Sequence, residues 1–135
     1  MKKHIKVTHI VDTISEKNFS ILLVVKNLKK YLDENYNSKT KILTFSKKKN
    51  IFFNKKDIYV LNRNKPFFDN TVLLHKIKNS DVVHVHGMWS YLNILSIFIC
   101  TYLNKKLIIH PHGMLLREAL HNSIFLKRIT KECIL

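Results

Sequence analysis

Asp81-Val82-Val83-His84-Val85-His86-Gly87 reads as a strand that ends in a glycine. The next segment, Tyr91 to Leu103, is apolar nearly all round and predicts a buried helix. Lys106-Leu107-Ile108-Ile109-His110 is then a second strand, closed by Pro111-His112-Gly113. Strand, helix and strand at this spacing make a crossover unit, and crossovers of this length join parallel strands.

The same alternation extends toward the N-terminus. Val7 to Val11 alternates as a strand and ends at Asp12-Thr13. A helix is predicted from Ser20 to Leu32, because Ile21, Leu22, Val25, Leu28 and Leu32 recur at helical spacing, with Lys26, Lys29 and Lys30 on the other side. Lys41 to Phe45 and Asp57 to Leu61 are two further strands. They are separated by a basic loop, Ser46 to Lys56, that holds the apolar island Ile51-Phe52-Phe53. Asn62 to Pro66 is turn-rich, Phe68 to Lys78 has a helical pattern, and Met114 to Leu135 predicts one or two helices. The order β-α-β-β-α-β-α-β-α implies an α/β fold: a Rossmann-like, doubly wound parallel sheet with helices on both faces, in one domain over residues 1–135.

Composition narrows the function classes. The 135 residues carry 24 Lys+Arg against 9 Asp+Glu, a formal charge of +15, yet 46% are hydrophobic, too many for a disordered basic tail. Arginine, favoured for bidentate phosphate and base-edge contacts, occurs only at the scattered positions Arg63, Arg117 and Arg128. The charge therefore reads as a solvated lysine surface with some attraction to anionic membranes or substrates, and no nucleic-acid partner is expected. Gly87 and Gly113 are the only glycines and lie in neither a G-x-G-x-x-G nor a Walker loop, so no nucleotide cofactor is expected. Cys100 and Cys133 read as buried, reduced thiols. With no visible signal peptide and no apolar run near the roughly 20 residues needed to span a bilayer, the expected location is cytoplasmic or peripheral on the inner membrane face.

In a doubly wound sheet, ligands sit beyond the carboxyl ends of the strands where strand order reverses. The first, fourth and fifth strands end here in Asp12-Thr13, His86-Gly87-Met88-Trp89-Ser90 and Pro111-His112-Gly113-Met114. Both glycines, the only tryptophan and two histidines thus fall at one predicted edge. Each glycine suits either a tight turn or close backbone approach to a ligand. His112, just before the last predicted helix, would be kept neutral by the helix dipole, able to accept a proton or a hydrogen bond from a sugar hydroxyl; bonding to a loop carbonyl is the structural alternative. His84 and His86, like His110 and His112, are two apart on a strand and share a face, so four imidazoles could meet a metal. No carboxylate or thiolate accompanies them, and His84 and His110 are expected to be hydrogen-bonded core residues; no metal is expected.

Asp81 to Ser90, the apolar helix, Lys106 to Leu115 and the following Ala119–Lys131 segment together resemble the N-terminal domain of family 4 glycosyltransferases. Those enzymes often show a D-hVHxHGhW strand and loop, then SPHGML about two dozen residues later. The resemblance implies a GT-B fold, with two Rossmann-like domains facing each other across a cleft. It implies transfer of a sugar from a nucleotide-sugar donor to a glycan or lipid-linked acceptor, with retention and commonly without a metal, in the setting of polysaccharide biosynthesis. By position, His112 would be the catalytic candidate, and His86, Gly87, Trp89, Gly113 and Asn18 would bind substrate. The sequence departs from the family at Glu16-Lys17-Asn18-Phe19-Ser20, where a Gly-Gly pair is usual and bulky Phe19 stands instead. Lys131-Glu132-Cys133-Ile134-Leu135 stops within a helical pattern, so a truncated chain is expected, inactive alone and able to use a nucleotide-sugar only when completed by a C-terminal donor domain. The alternative expectation is a basic Rossmann-like module that docks on an anionic membrane or a partner subunit through the Ser20–Leu32 helix, with Lys26, Lys29 and Lys30.

Overall fold

The computed structural model describes residues 4–47, 53–61 and 66–115. Arg63, Arg117, Arg128, Cys133, Ile51 and Phe52 lie outside them, as does nearly all of the helical segment predicted from Met114 onward. In chain order the elements are β1 (Ile5–Val11), β2 (Thr13–Ile14), α1 (Phe19–Asn35), β3 (Ser38–Thr44), β4 (Ser46–Lys47), β5 (Ile58–Val60), α2 (Pro66–Lys78), β6 (Val82–His86), α3 (Tyr91–Tyr102) and β7 (Lys106–His110). Five strands form one all-parallel sheet in the order β5-β3-β1-β6-β7, and β2 pairs with β4 beside it. The fold is α/β, consistent with a Rossmann-like sheet, and strand order reverses between β1 and β6.

Alternation along the strands builds two cores. On one face Leu22 and Val25 of α1 pack against Val11, Ile14 and Ile42. On the other, Leu73 and Ile77 of α2 and Leu92, Ile99 and Cys100 of α3 pack against Ile10, Leu43, Val83 and Val85. Cys100 is buried, and burial pushes its thiol up to about 11, so it is an inert apolar filler. Ser90 caps α3 by accepting a hydrogen bond from the Asn93 N–H, and Asn104 stops the helix in the left-handed region at φ 49°.

The structure differs from the sequence expectations in four places. α3 is not buried all round: Phe98 is 69% and Tyr102 78% exposed, on a stripe with Tyr91 and Ile94, because an outer helix of a layered domain needs only one buried face. Lys29 is not on a solvated lysine face. Its side chain is 18% exposed and its ammonium is paired with Asp33 and lies 3.4 Å from Asp57, drawing α1 toward the turn before β5. β3 starts at Ser38, three residues before Lys41, because the Thr40 hydroxyl and N–H both donate to Asp33 Oδ1, at 2.6 and 3.2 Å. His110, finally, is exposed on the edge strand β7 and is not a core residue. No helix among the described residues is long and apolar enough to cross a membrane.

Candidate functional site at the carboxyl edge of the sheet

β1, β6 and β7 are neighbours, so their carboxyl ends open onto one side of the domain. There a cleft of about 370 Å³ is lined by Asn18, Ile21, His86, Trp89, Asn93 and Met114, among others. The backbone around it is tightly specified. Gly87 has φ +95°, and a Cβ there would sit 2.9 Å from Asn93 Nδ2 and 3.2 Å from Met114 Cε, so only glycine fits. The Gly87 N–H donates to the His110 carbonyl at 2.9 Å, tying the two loops together. Buried Asn93 donates its side-chain N–H to the His86 carbonyl at 3.0 Å, fixing the β6–α3 loop from the helix side.

His112 and Gly113 both have positive φ, 49° and 79°, and the Met114 N–H donates to the Pro111 carbonyl at 3.0 Å. This is the pattern of a type I′ turn, which histidine tolerates better than most side chains. The turn holds the His112 ring against His86, with Nε2 3.0 Å from His86 Nδ1. Behind it His86 Nε2 lies 2.9 Å from His9 Nδ1. His84 stacks on His86 with ring centroids 4.2 Å apart, and His110 lies 4.1 Å from His112. Five imidazoles therefore form one column from the core beside α1 to the rim of the cleft.

Burial, and then the repulsion between neighbouring rings, favours the neutral form of His9, His84, His86 and His112. His9 is pushed down to about 3, first by burial and then by His84. Burial, followed by the charges of neighbouring histidines, lowers His84 to about 4 and His86 to about 2. His112 is lowered by burial and by His110. Its neutrality was expected from a helix dipole; among the described residues the cause is burial in the histidine column.

Neutrality imposes an order on the protons. Each neutral ring has one N–H and one bare nitrogen, so the two contacts of His86 use one of each. The chain His9–His86–His112 must then run as donors in a single direction, and in either direction His9 Nε2 is left over. It has no hydrogen-bond partner among the described residues, and neither has His84 Nε2. His84 is therefore buried as expected, but without the hydrogen bond expected of its Nε2.

All the predicted site residues come to this one edge. His86, Trp89 and Asn18 line the cleft; His112 abuts His86, Gly113 completes its turn, and Gly87 lies beneath. Asn18 Nδ2 donates to the Thr13 carbonyl at 3.0 Å, which anchors the turn before α1. Two contributors were missed. Asn93 was hidden in an apolar helix, and His9 was read only as a strand residue. The signal for His9 was its parity with Val7 and Val11, which places it on the face of β1 that meets His84 once β1 and β6 are paired. No family model, curated protein or solved structure matches the chain, and the chemistry of these side chains is the ground on which the cleft can be interpreted.

Proposed function

We propose that the chain is the acceptor-side, N-terminal half of a retaining GT-B glycosyltransferase, which transfers a sugar from a nucleotide-sugar to a glycan or lipid-linked acceptor when a donor-binding domain faces it. The observation that carries this reading is the convergence of Trp89, Asn18 and the His86–His112 pair on one cleft at the point where strand order reverses. A sugar presents an apolar C–H face and a ring of hydroxyls. An indole offers a platform for the first, and an amide and neutral imidazoles offer partners for the second. In the transfer the acceptor oxygen bonds to the anomeric carbon while the nucleoside diphosphate departs with the old bond pair, and the hydroxyl proton is released. His112, neutral and backed by His86, is the group that would hold that hydroxyl hydrogen.

The 135-residue protein by itself is expected neither to hydrolyse nor to transfer from UDP- or GDP-sugars; robust turnover by the pure chain would overturn this half-site reading. Co-expression with a donor-binding domain should restore transfer, and His112→Ala should then cut the rate by about 10²-fold or more. Trp89 is the only tryptophan, so its fluorescence reports the cleft directly. Acceptor-type oligosaccharides at millimolar concentration should shift it saturably, and a flat titration that Asn18→Ala leaves unchanged would remove the acceptor assignment.

A second reading has its own observation. The outward side of α1 exposes Phe19 and Leu23 together with Lys26 and Lys30, at helical spacings of 4, 3 and 4. Apolar side chains interleaved with lysines suit an anionic membrane surface. None of these four side chains lines the cleft, so the two readings are compatible.

A further inference from the structure

We infer that His9, His84 and His86 form a binding site for one divalent transition-metal ion of the kind that imidazole nitrogen favours, zinc foremost. The inference stands apart from the transferase reading, which calls for no metal. Its basis is placement. β1 and β6 are adjacent and parallel with His9 in register with His84, and His86 follows two residues on along the same face. One nitrogen from each of the three rings can be chosen so that all lie within 4.8 Å of one another. Tetrahedral zinc, with Zn–N distances of about 2.0–2.1 Å, holds its ligand nitrogens roughly 3.3 Å apart, so binding would draw the three rings closer together.

The second, independent observation is the pair of orphaned nitrogens. His9 is 0% and His84 8% exposed, and Nε2 of each is buried with no hydrogen-bond partner among the described residues. A buried polar atom left unpaired is costly, and an ion coordinated through these two atoms would satisfy both, with His9 Nδ1 giving up its contact with His86 in exchange. Three histidines with a fourth position for water is a known zinc ligand set that needs no thiolate. Asp33 lies close enough to act on His9 electrostatically, although Lys29 beside it offsets much of that charge. A groove of about 340 Å³ between α1 and the sheet, lined by Leu28, Leu32, Val82, His84 and Ile108, reaches one of the three rings.

A second set, His86, His110 and His112, also has suitably close nitrogens. It is more exposed, and no orphaned nitrogen marks it. The inner set has a consequence for the rim. With Nε2 on the metal, His86 gives up its bond to His9, keeps its proton on Nδ1 and donates it to His112 Nε2. The metal would thus leave the His112 proton on Nδ1, so that the metal-bound protein presents a donor to the cleft and only the metal-free protein presents the acceptor nitrogen that the transferase reading asks of His112.

Equilibrium dialysis of the intact 135-residue protein against Zn²⁺ in a weakly chelating buffer at pH 7.5, followed by elemental analysis, tests the site. About one equivalent is expected, and Co²⁺ should give visible bands of tetrahedral intensity. Less than a tenth of an equivalent in the wild-type protein overturns the inference, whatever the variants do. His84→Ala should lose the metal while keeping its far-ultraviolet circular dichroism, and His110→Ala should retain it. If His84→Ala fails to fold, the wild-type and His110→Ala measurements still decide. Loss of metal in His110→Ala, or full binding by folded His84→Ala, assigns the ion to the outer set or to the surface and overturns the inner site.

Discussion

His86 places both ring nitrogens on other histidines and is 2% exposed, so a charge added to it is cut off from solvent. His9, at the buried end of the column, has only its Nδ1 on another histidine and is likewise shut off from solvent. In the unfolded chain both rings titrate near their ordinary 6.5, whereas in the fold they are pushed down to about 2 and about 3. Below pH 6.5 the unfolded state therefore binds more protons than the folded one, and acid favours unfolding. Stability should be level above about pH 7 and fall as the pH drops through 6, by up to about 1.4 kcal/mol per ring per pH unit, until the folded-state values are reached. Urea unfolding of chelator-treated protein at pH 7.5, 6 and 5 measures this. Equal stability at pH 7.5 and 5 would mean that the rings are not held neutral by the fold.

Among the elements, α1 makes the clearest prediction because its two sides are chemically distinct. Leu22 and Val25 face the core, whereas Phe19, Leu23, Lys26 and Lys30 face outward. If the helix docks on anionic lipid, the 135-residue protein should float with vesicles containing phosphatidylglycerol and not with purely zwitterionic ones. Binding should weaken as salt shortens the screening length below about 10 Å, and Lys26→Glu with Lys30→Glu should abolish it. Flotation unaffected by those charges would exclude this face. The core side of α1 was legible in the sequence because Leu22 and Val25 follow a simple period. The fate of Lys29 was not, since Asp33 lies one turn along the helix but Asp57 reaches it only through tertiary packing. α3 fails for a different reason: Leu92 and Ile99 are as apolar as Ile94 and Phe98, so periodicity cannot say which side is buried. The start of β3 was likewise invisible, because it depends on where the Asp33 carboxylate ends up.

At the scale of the whole molecule, the site was legible because two motifs, His86-Gly87 and Pro111-His112-Gly113, follow strands that a doubly wound sheet makes neighbours. His9 was not, because its contact with His86 spans 77 positions and depends on the register between β1 and β6. That same strand binds the molecule together. β1 pairs with both β3 and β6, and it sends Ile10 into the core under α2 and α3 and Val11 into the core under α1. Neither core can lose β1 without exposing the other, so the two should melt as one cooperative unit. Trp89 reports the loop between β6 and α3, while far-ultraviolet circular dichroism reports all the helices and strands. Urea titrations followed by the two signals should therefore have the same midpoint and slope within error. A fluorescence transition clearly preceding the loss of ellipticity would show that the carboxyl edge opens as a separate unit, and that β1 does not couple the cleft to the remainder of the sheet.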